Sequence, residues 1–490
     1  MDLYRAIYPF PLDKFQEDGL SSLINGNNVL VATPTGSGKT LVGELAIYFA
    51  LMMGLRVAYT TPLKALSNQK FQDFTKKYGG DRVGLLTGDI VINRGARVTV
   101  MTTEVFRNMI YDQDSDMQLS NLFMVCFDEF HFMNDPDRGT VWEESVISCP
   151  PSVRILALSA TMGNVADIQG WISSIHGKTD LVLSDHRPVP LRYLFAMKQG
   201  LLPLFRDPNA GPGARNGLVK IQGKLGPGAN VNPSIMKLEE QAVKQAQLRM
   251  TRQGRPIKSK PKTDHLIPKY SDMISELHAQ NLLPAIVFIF SRVGCETSAK
   301  MLVGDNKLKL LTPDETDYVK QAINQFCRLN PEIPVSKASV QLLKSGVGVH
   351  HAGLIPVWKA FIEDLFNANK IKVLFATETL AAGVNMPART TIITTVTKKM
   401  NSEVVKLKTS QMLQMAGRAG RRGKDVEGTV VIMRNRFEEV NIGHKIITSN
   451  IDGIKSHFKT SYGLTVKLLQ TKSIDECKGN NDHFNYYYYY

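Results

Sequence analysis

The sequence contains little cysteine and no long apolar run. Five cysteines occur among 490 residues, and no two of them form a C-x-x-C pair. Neither a zinc site nor a framework of disulfide bonds is therefore predicted, and a reducing compartment is the default expectation. No apolar run reaches the roughly 18 residues that a membrane-spanning helix needs. The N-terminal residues MDLYRAIYPF contain no apolar signal region, so the protein either stays where it is made or the chain lacks its natural N-terminus.

Negative charge is scarce relative to positive charge. The chain has 45 aspartate and glutamate residues against 59 lysine and arginine residues, which gives a net charge of +14. A basic chain of this size indicates an acidic partner, most often nucleic acid. Simple solubility is the alternative explanation for the charge.

Short apolar runs rich in valine, isoleucine and leucine alternate with helical patterns in two parts of the chain. The first part contains NVLVAT, RVAYTT, RVTVMTT, LFMVCFDE and RILALSAT, and the second contains PAIVFIFS, VGVHHAG, KVLFAT, TIITTVT and GTVVIM. This alternation predicts parallel sheets covered by helices on both faces. The predicted fold class is therefore α/β, with two similar domains and a cleft between them.

The length predicts two to four domains, and composition sets their boundaries. The first domain is placed at residues 1–197 and the second at 267–436. Residues 198–266 are rich in Gly, Pro, Lys and Arg and predict a flexible linker or insertion. Its second part, KLEEQAVKQAQLRMTRQGRPIKSKPK, starts with a helical pattern and ends as a basic tail, whose cations form either a solvated surface or an RNA contact. Residues 437–490 are helical and polar in pattern and end in NYYYYY, which has no obvious folding role.

The segment TPTGSGKT lies between an apolar strand and a predicted helix, which is the context that a phosphate-binding loop requires. Gly36 and Gly38 let backbone N–H groups approach phosphates, and the helix N-terminus adds partial positive charge. Lys39 is expected to reach the β- and γ-phosphates of ATP, and Thr40 to bind Mg²⁺. Thr33 stands where the general pattern has a glycine. The candidate loop residues are Thr33, Pro34, Thr35, Gly36, Ser37, Gly38, Lys39 and Thr40.

Two adjacent acids end the apolar run LFMVCFDEFHF. In a phosphate-loop fold, Asp128 is expected to hold Mg²⁺ through its hydration shell, and Glu129 to act as general base on the attacking water. Two acids that cap the next turn are the alternative. His131 follows closely, and the hydroxyls of LSAT, Leu158–Thr161, are candidates to hydrogen-bond it and so to link hydrolysis to motion.

The run QMLQMAGRAGRRG carries a basic cluster in the second half. Gln414, Arg418 and Arg421 are placed on one helical stretch, where the two arginines, three residues apart, are expected to share a face. Arginines that face a nucleotide across a cleft stabilise charge on the transferring phosphoryl group. A basic RNA-binding helix is the alternative for this run.

Taken together, the motifs resemble those of superfamily 2 helicases of the DExH-box class, spelled here Asp128-Glu129-Phe130-His131. Within that class the chain is similar to the superkiller-type RNA helicases, the group that feeds RNA to degradation and processing machines. The motifs that carry the resemblance are YPFPLDKFQ, TTPLKALSNQKF, LTGDI, MTTEVFRNM, RGTVWEE, FIFSR, GVGVHHAGL, FATETLAAGVNMPA and QMAGRAGRRG. DEFHFMND, RGTVWEE and HFKTSYGLTVKLLQ resemble the cyanobacterial and plastid branch most.

The resemblance implies two RecA-like parallel-sheet domains in tandem, with ATP in the cleft between them, followed by a partial winged-helix-like segment. It implies that Phe10 stacks on adenine, that Gln16 reads the adenine edge, and that Gly383 and Asn385 lie near the ribose. It also implies contacts to RNA phosphate and sugar, which carry little sequence information. The residues implied in these contacts are Thr61, Pro62, Thr87, Gly88, Asp89, Thr102, Thr103, Ser291, Arg292, His351 and Thr377.

The expected function is that of an ATP-dependent RNA helicase that moves along and unwinds RNA, either single-stranded or with a 3′ overhang. Two alternatives stay open: an ATP-clamped RNA-binding or remodelling module without unwinding, and a related DNA-repair helicase. Members of the group continue past a winged helix into a helical ratchet domain, so strand separation by this chain alone is an open question. An RNA-degradation or processing complex is the expected partner. The plastid stroma, the cytoplasm and the nucleus are the candidate compartments.

Overall fold

In the computed structural model the chain forms two compact units. The second unit spans Arg187–Asn450, and the first comprises the residues before it together with the segment that begins at Ile451. The structure describes residues 8, 10–112, 114–206, 229–252, 264–305, 308–383, 386–400, 403–436 and 438–458, with 465–466 and 469–470. No helix within these residues is long and apolar enough to cross a membrane.

The first unit is built on an eight-stranded sheet. Its strands are β1 (Asn28–Ala32), β2 (Arg56–Thr61), β3 (Val83–Leu86), β4 (Val91–Ile92), β5 (Val98–Thr102), β6 (Leu122–Asp128), β7 (Arg154–Ser159) and β8 (Thr179–Leu183). They lie in the order β4-β3-β5-β2-β6-β7-β1-β8, and neighbouring strands are parallel except β3 and β4. The helices of this unit are Lys14–Ile24, Thr40–Met52, Lys64–Tyr78, Thr103–Ile110, Ser115–Leu119, Thr140–Ile147 and Val165–His176, with a 3₁₀ turn at Phe130–Asn134.

Both faces of this sheet are covered, because alternate residues of a strand point to opposite sides. In β1, Val29 and Val31 join one hydrophobic cluster and Leu30 joins the other. Strands that are buried on both faces need a continuous apolar sequence, which is the pattern seen at the start of β6. The sheet therefore brings Asp128, the last residue of β6, to the carboxyl edge of a buried strand.

The second unit contains a seven-stranded sheet and a two-stranded ribbon. The strands are β9 (Leu191–Met197), β10 (Gly200–Pro203), β11 (Ala285–Phe288), β12 (Val347–His350), β13 (Val373–Ala376), β14 (Thr390–Ile393), β15 (Thr397–Met400), β16 (Glu403–Lys406) and β17 (Gly428–Met433). The larger sheet has the order β10-β9-β17-β14-β11-β13-β12, and the ribbon consists of β15 and β16. In the larger sheet only β9 and β10 are antiparallel neighbours. The helices are Pro233–Arg252, Tyr270–Ala279, Arg292–Gly304, Pro313–Leu329, Lys337–Lys344, Pro356–Asn367, Thr379–Gly383, Thr409–Ala416 and Val440–Thr448, with a 3₁₀ turn at Asp264–Leu266. Two parallel, helix-covered sheets confirm the predicted α/β class.

The predicted boundary at residue 197 and the predicted linker differ from the structure. The strand β9, assigned above to the first domain, pairs in parallel with β17 in the second sheet. The strand β10 lies in the predicted linker but forms an antiparallel edge beside β9. The helix Pro233–Arg252, also in the predicted linker, is anchored by an ion pair between Glu239 and Arg434 Nε at 2.9 Å. These segments are fixed by partners far away in the chain, which local composition does not reveal.

The predicted start of a winged helix, residues 437–490, is divided between the two units. The helix Val440–Thr448 belongs to the second unit, whereas residues 451–458, here named the C-terminal strap, belong to the first. Most residues beyond 458 lie outside the described part of the chain, as do residues 207–228 and 253–263 of the predicted linker.

The C-terminal strap lies on the first unit beside residues that follow β6 and β7. Asn164 exchanges two hydrogen bonds with the backbone of Ile454, at 2.9 Å and 2.7 Å. The Glu143 carboxylate accepts hydrogen bonds from Ser456 Oγ at 2.9 Å and from the His457 N–H at 3.2 Å. Burial raises the pKa of Glu143 to about 7, although these two hydrogen bonds act to lower it. The strap thus covers an acid that titrates near neutral pH.

Replacement of Glu143 by glutamine should make the stability of the protein less dependent on pH. The pKa of Glu143 in the folded state lies above the usual value of 4.5. The wild type therefore has its full stability below that value and loses up to about 3 kcal/mol as the pH rises through 7. Glutamine keeps an acceptor oxygen and carries no charge, so thermal unfolding should show the variant to be the more stable protein at about pH 8 and similar to wild type at about pH 5.

The neighbouring acid offers a matched control for this experiment. Glu144 forms an ion pair with Arg107 Nη1 at 3.3 Å, so Glu144→Gln removes an attraction and should lower the melting temperature at about pH 8. A stability difference between Glu143→Gln and wild type that is the same at both pH values would contradict the assignment of the titration to Glu143.

Candidate functional site

The predicted phosphate loop joins β1 to the helix Thr40–Met52 and has the geometry of an anion-binding turn. Gly36 and Gly38 have φ angles of 86° and 96°, which residues with a side chain rarely adopt. The Thr33 hydroxyl lies 2.7 Å from Ser37 Oγ, and both side chains are buried. Thr33, which stands where the general phosphate-loop pattern has a glycine, therefore stabilises the loop through a hydrogen bond inside it. The loop ends at a helix N-terminus, where backbone N–H groups favour an anion.

Gln16 contacts this loop directly. Its side chain is fully buried, its Nε2 donates to the Gly38 carbonyl at 3.1 Å, and its Oε1 accepts the Asp13 N–H at 2.9 Å. Gln16 therefore ties its own helix to the loop, and its contact with adenine stays a prediction. Phe10, predicted to stack on adenine, is 42% exposed, and its ring centroid lies 5.6 Å from that of Tyr8.

The paired acids stand at the carboxyl end of β6, and the backbone turns them toward different partners. Asp128 is 3% exposed, and its Oδ2 accepts a hydrogen bond from the Tyr59 hydroxyl at 2.7 Å. Glu129 has a φ of 52°, a left-handed conformation that is uncommon for glutamate. Its Oε2 lies 3.3 Å from Lys39 Nζ of the phosphate loop. Burial raises the pKa of the Asp128 carboxyl, and the nearby cations Lys70 and Lys39 oppose that rise.

Each acid has its own buried lysine. Lys39 pairs with Glu129, while Lys70 Nζ lies 3.9 Å from Asp128 Oδ2 and 3.4 Å from Thr40 Oγ1. The Thr40 hydroxyl and the Asp128 carboxylate are oxygen donors of the kind that Mg²⁺ prefers, so these residues fit the metal that accompanies ATP. The sequence did not identify Lys70, because the motif that contains it does not say which side chain the fold brings to Asp128.

His131 lies next to Glu129 and is neutral. Burial lowers the pKa of His131 to about 4, so the ring carries no charge at neutral pH. Its Nδ1 lies 3.4 Å from Glu129 Oε2 and 3.5 Å from the backbone nitrogen of Ala160. A neutral Nδ1 either donates to the carboxylate or accepts from the N–H. The contact with LSAT includes the backbone N–H of Ala160, and Ser159 Oγ is buried without a hydrogen-bond partner among the described residues. A hydrogen bond between His131 and the Thr161 hydroxyl stays a prediction.

The residues implied in RNA contact in the first unit lie along one edge of the sheet. The strands β3, β5 and β2 are neighbours, and these residues end or follow them. The set is Thr61, Pro62, Thr87, Gly88, Asp89, Thr102 and Thr103. Some of their polar groups are engaged within the unit: Thr61 Oγ1 lies 2.7 Å from Ser67 Oγ, and Asp89 pairs with Lys64 at 3.0 Å. These residues thus lie together at one edge of the sheet, and their contact with RNA stays a prediction.

In the second unit the corresponding residues follow three neighbouring strands, β11, β13 and β12. The set is Ser291, Arg292, His351 and Thr377. Ser291 caps the helix after β11 by accepting the Gly294 N–H at 3.1 Å. His351 is buried, with Nδ1 accepting the Gly353 N–H at 3.2 Å and Nε2 lying 3.4 Å from Glu296 Oε1. These contacts hold Ser291 and His351 in place at the edge of the sheet.

The segment after β13 carries Thr377 and the two residues implied near the ribose. The Thr377 hydroxyl lies 2.9 Å from Thr379 Oγ1, at the start of the helix Thr379–Gly383. Gly383 is the last residue of that helix, and Asn385 lies outside the described residues. The contact of this segment with a nucleotide stays a prediction.

The helix predicted to carry both arginines ends before them. It spans Thr409–Ala416 and includes Gln414, whereas Arg418 and Arg421 lie in the chain that follows. The prediction that the two arginines share a helical face is therefore wrong. The physical reason is the glycine-rich sequence, in which Gly420 has a φ of 83° that a right-handed helix does not accommodate.

Each arginine nevertheless has a definite acceptor inside the second unit. Arg418 donates to the carbonyl of Ala381. Arg421 donates to both oxygens of Asp425, at 2.8 Å from Nε and 2.9 Å from Nη2, and Arg389 Nε donates to Asp425 Oδ1 at 2.8 Å. Burial acts to raise the pKa of Asp425, but the hydrogen bonds from these two arginines outweigh it and lower the pKa to about 2. Asp425 is thus ionised at neutral pH and fixes the orientation of Arg421.

Two parts of the chain match known protein families. Residues 13–168 match the family described as DEAD/DEAH box helicase, and residues 326–423 match the one described as helicase conserved C-terminal domain. The first match contains the phosphate loop and the paired acids, and the second contains both arginines.

The chain is also similar to curated proteins over nearly its whole length. The chain is 39% identical over 487 residues to the chloroplastic DExH-box ATP-dependent RNA helicase DExH15 of Arabidopsis thaliana, covering 95% of this chain and 40% of the relative. It is 35% identical over 474 residues to the exosome RNA helicase MTR4 of Homo sapiens, covering 96% and 43%. It is 36% identical over 490 residues to superkiller complex protein 2 of Mus musculus, covering 96% and 38%. The chain thus spans less than half the length of these three relatives. Its motifs, its two sheets and these matches show that it belongs to the superfamily 2 DExH-box helicases, in the group of the superkiller-type RNA helicases.

Proposed function

We propose that this chain is the ATPase core of an RNA helicase, which uses ATP hydrolysis to move along RNA and to unwind it. The observation that carries the proposal is the assembly of the phosphate loop, Asp128 and Glu129 at one edge of the first sheet. The three relatives named above, two of them described as RNA helicases, support RNA over DNA as the bound strand.

The first unit supplies phosphate binding and proton transfer. Lys39 binds phosphate oxygens of ATP once it leaves Glu129. Thr40 and Asp128 would hold Mg²⁺, which neutralises phosphate charge when bound. Glu129 orients a water molecule and accepts its proton. Because His131 is neutral, it does not form an ion pair with the Glu129 carboxylate in competition with Lys39.

The second unit supplies positive charge for the transferring phosphoryl group. In the proposal, Arg418 and Arg421 stabilise the negative charge that develops on the transferring phosphoryl group during hydrolysis. RNA that binds both units favours the state in which all these residues act together, since a ligand shifts a protein toward the state that it binds better. Hydrolysis of ATP then ends that state, and the change of conformation moves the RNA.

RNA is proposed to lie along the carboxyl edges of both sheets. Hydroxyls and backbone groups there suit contacts to phosphate and sugar, and the net charge of +14 favours a polyanion. The names of two relatives refer to the exosome and the superkiller complex, which supports an RNA-degradation or processing complex as partner. The chloroplastic name of the third relative supports the plastid stroma as the compartment.

A strand-displacement assay on matched RNA and DNA duplexes with a single-stranded 3′ tail tests the proposal. We expect ATP-dependent displacement of the RNA duplex and stimulation of ATP hydrolysis by RNA, both abolished in Lys39→Ala. RNA-stimulated hydrolysis without displacement would instead indicate an ATP-clamped RNA-binding module. Displacement of the DNA duplex alone would indicate a DNA-repair helicase, and the absence of nucleic-acid-stimulated hydrolysis would overturn the proposal.

A further inference from the structure

Lys70 is a buried cation at the paired acids that the sequence motifs did not assign to nucleotide binding. It belongs to the helix Lys64–Tyr78 and is 8% exposed. Its Nζ lies 3.9 Å from Asp128 Oδ2, 3.4 Å from Thr40 Oγ1 and 5.7 Å from the centroid of the Tyr59 ring. A side chain from one helix therefore reaches both the end of β6 and the start of the helix after the phosphate loop.

Burial of this lysine is compensated by Asp128. Removing an ammonium or a carboxylate from water costs several kcal/mol per ion, and a buried pair is tolerated only where each charge faces the other. Asp128 is buried as well, and the Tyr59 hydroxyl donates to the same carboxylate oxygen at 2.7 Å. Lys70 and the Tyr59 hydroxyl thus both face Asp128 Oδ2.

The two atoms that Lys70 contacts are also the two oxygen donors expected for Mg²⁺. Two cations at one carboxylate repel each other strongly in a buried site, so the ammonium and the metal compete for Asp128. We propose that Lys70 is a positioning residue, which holds Asp128 and Thr40 in place in the metal-free protein and yields to the Mg²⁺ that arrives with ATP. The proposal rests on the ATPase function proposed above. It predicts that Lys70 weakens metal binding while it stabilises the metal-free state.

Lys70→Met tests this role, because methionine retains an unbranched apolar stem and removes the charge. The affinity for a fluorescent ADP analogue is measured in Mg²⁺ and in EDTA for wild type and variant. We expect Mg²⁺ to strengthen ADP binding about tenfold more in the variant than in wild type, which lies within the usual range for coupled ligands. Mg²⁺ alone should also raise the melting temperature of the variant more than that of wild type, since the metal replaces the missing cation.

Tyr59→Phe is the matched control, because it removes a neutral donor from the same carboxylate oxygen. Its Mg²⁺ dependence should stay near that of wild type. A second test uses Asp128→Asn, which removes the carboxylate that needs a cation. The loss of melting temperature caused by Lys70→Met should largely disappear in that background, and the double variant should fold even if Lys70→Met alone does not.

The outcomes separate this inference from the function on which it rests. Equal Mg²⁺ dependence in wild type and Lys70→Met, or a stability loss that persists in the Asp128→Asn background, would show that Lys70 acts through packing on Tyr59 and overturn its role at the metal site. A wild type that binds no ADP in Mg²⁺ would overturn the proposed ATPase function itself.

Discussion

Glu129→Gln is expected to lower RNA-stimulated ATP hydrolysis about 10²–10⁴-fold while ATP affinity stays close to that of wild type. Glutamine keeps the size of the side chain and removes the carboxylate that takes the proton of the attacking water. ATP binding persists because the phosphate loop and Asp128 are unchanged. Lys39, whose Nζ lies 3.3 Å from Glu129 Oε2, also loses its ion pair and is then available to the phosphates. Steady-state hydrolysis at saturating RNA and titration with a fluorescent ATP analogue measure the two quantities.

Asp137→Asn is the matched control for this substitution. It makes the same conservative change at an exposed acid shortly after the 3₁₀ turn Phe130–Asn134, and it should hydrolyse ATP at a rate close to that of wild type. Turnover of Glu129→Gln near the wild-type rate would mean that another group takes the proton. The contact between Glu129 and Lys39 would then be a structural ion pair.

Much of the fold could be predicted because strands buried on both faces require continuous apolar runs. NVLVA in β1 and LFMVCF in β6 are such runs, and each leads into candidate site residues at its carboxyl end. The strand β10 could not be predicted in this way. Gly200–Pro203 is a short edge strand next to glycine- and proline-rich sequence, and its pairing with β9 decides its conformation.

The sequence motifs identify the residues that end strands but not the charged side chains that face those residues. Lys70 meets Asp128 only because the sheet places β2 beside β6, which brings the helix after β2 next to the end of β6. The pair of Arg421 and Asp425 has the four-residue spacing of a helical ion pair in the sequence. In the structure the helix Thr409–Ala416 ends before Arg421. The buried carboxylate of Asp425 accepts hydrogen bonds from both Arg421 and Arg389. Such partners depend on tertiary structure and leave only weak signals in the sequence.

Arg421→Ala should abolish most RNA-stimulated hydrolysis, with a loss of about 10³–10⁵-fold, the usual range for an arginine finger. Lysine should rescue poorly, because it lacks the planar fork that bridges two phosphate oxygens. RNA affinity in the absence of nucleotide should stay nearly unchanged. The ATPase rate at saturating RNA and the RNA dissociation constant, measured on the same preparation, check both expectations.

A structural loss has to be separated from a catalytic one, because Arg421 also binds the buried Asp425. Arg389→Gln is the matched control, since it removes the other arginine from the same carboxylate. If Arg421 acts on the phosphoryl group, Arg421→Ala loses far more hydrolysis than Arg389→Gln at a comparable loss of melting temperature. If the ion pair is its whole role, the two variants lose hydrolysis to a similar extent.

The competing hypothesis, that GRAGRRG is a basic RNA-binding run, predicts the opposite pair of results for Arg421→Ala. RNA binding would weaken, and hydrolysis would return at saturating RNA. The contact of Arg421 with Asp425, at 2.8 Å and 2.9 Å, is compatible with both hypotheses. If Arg421 acts in the ATPase site, the log–log salt dependence of RNA binding should be unchanged in Arg421→Ala, whereas a lost phosphate contact would reduce its slope by about 0.7 on single strands. A reduced slope, together with hydrolysis restored by RNA, would move Arg421 from the ATPase site to the RNA surface.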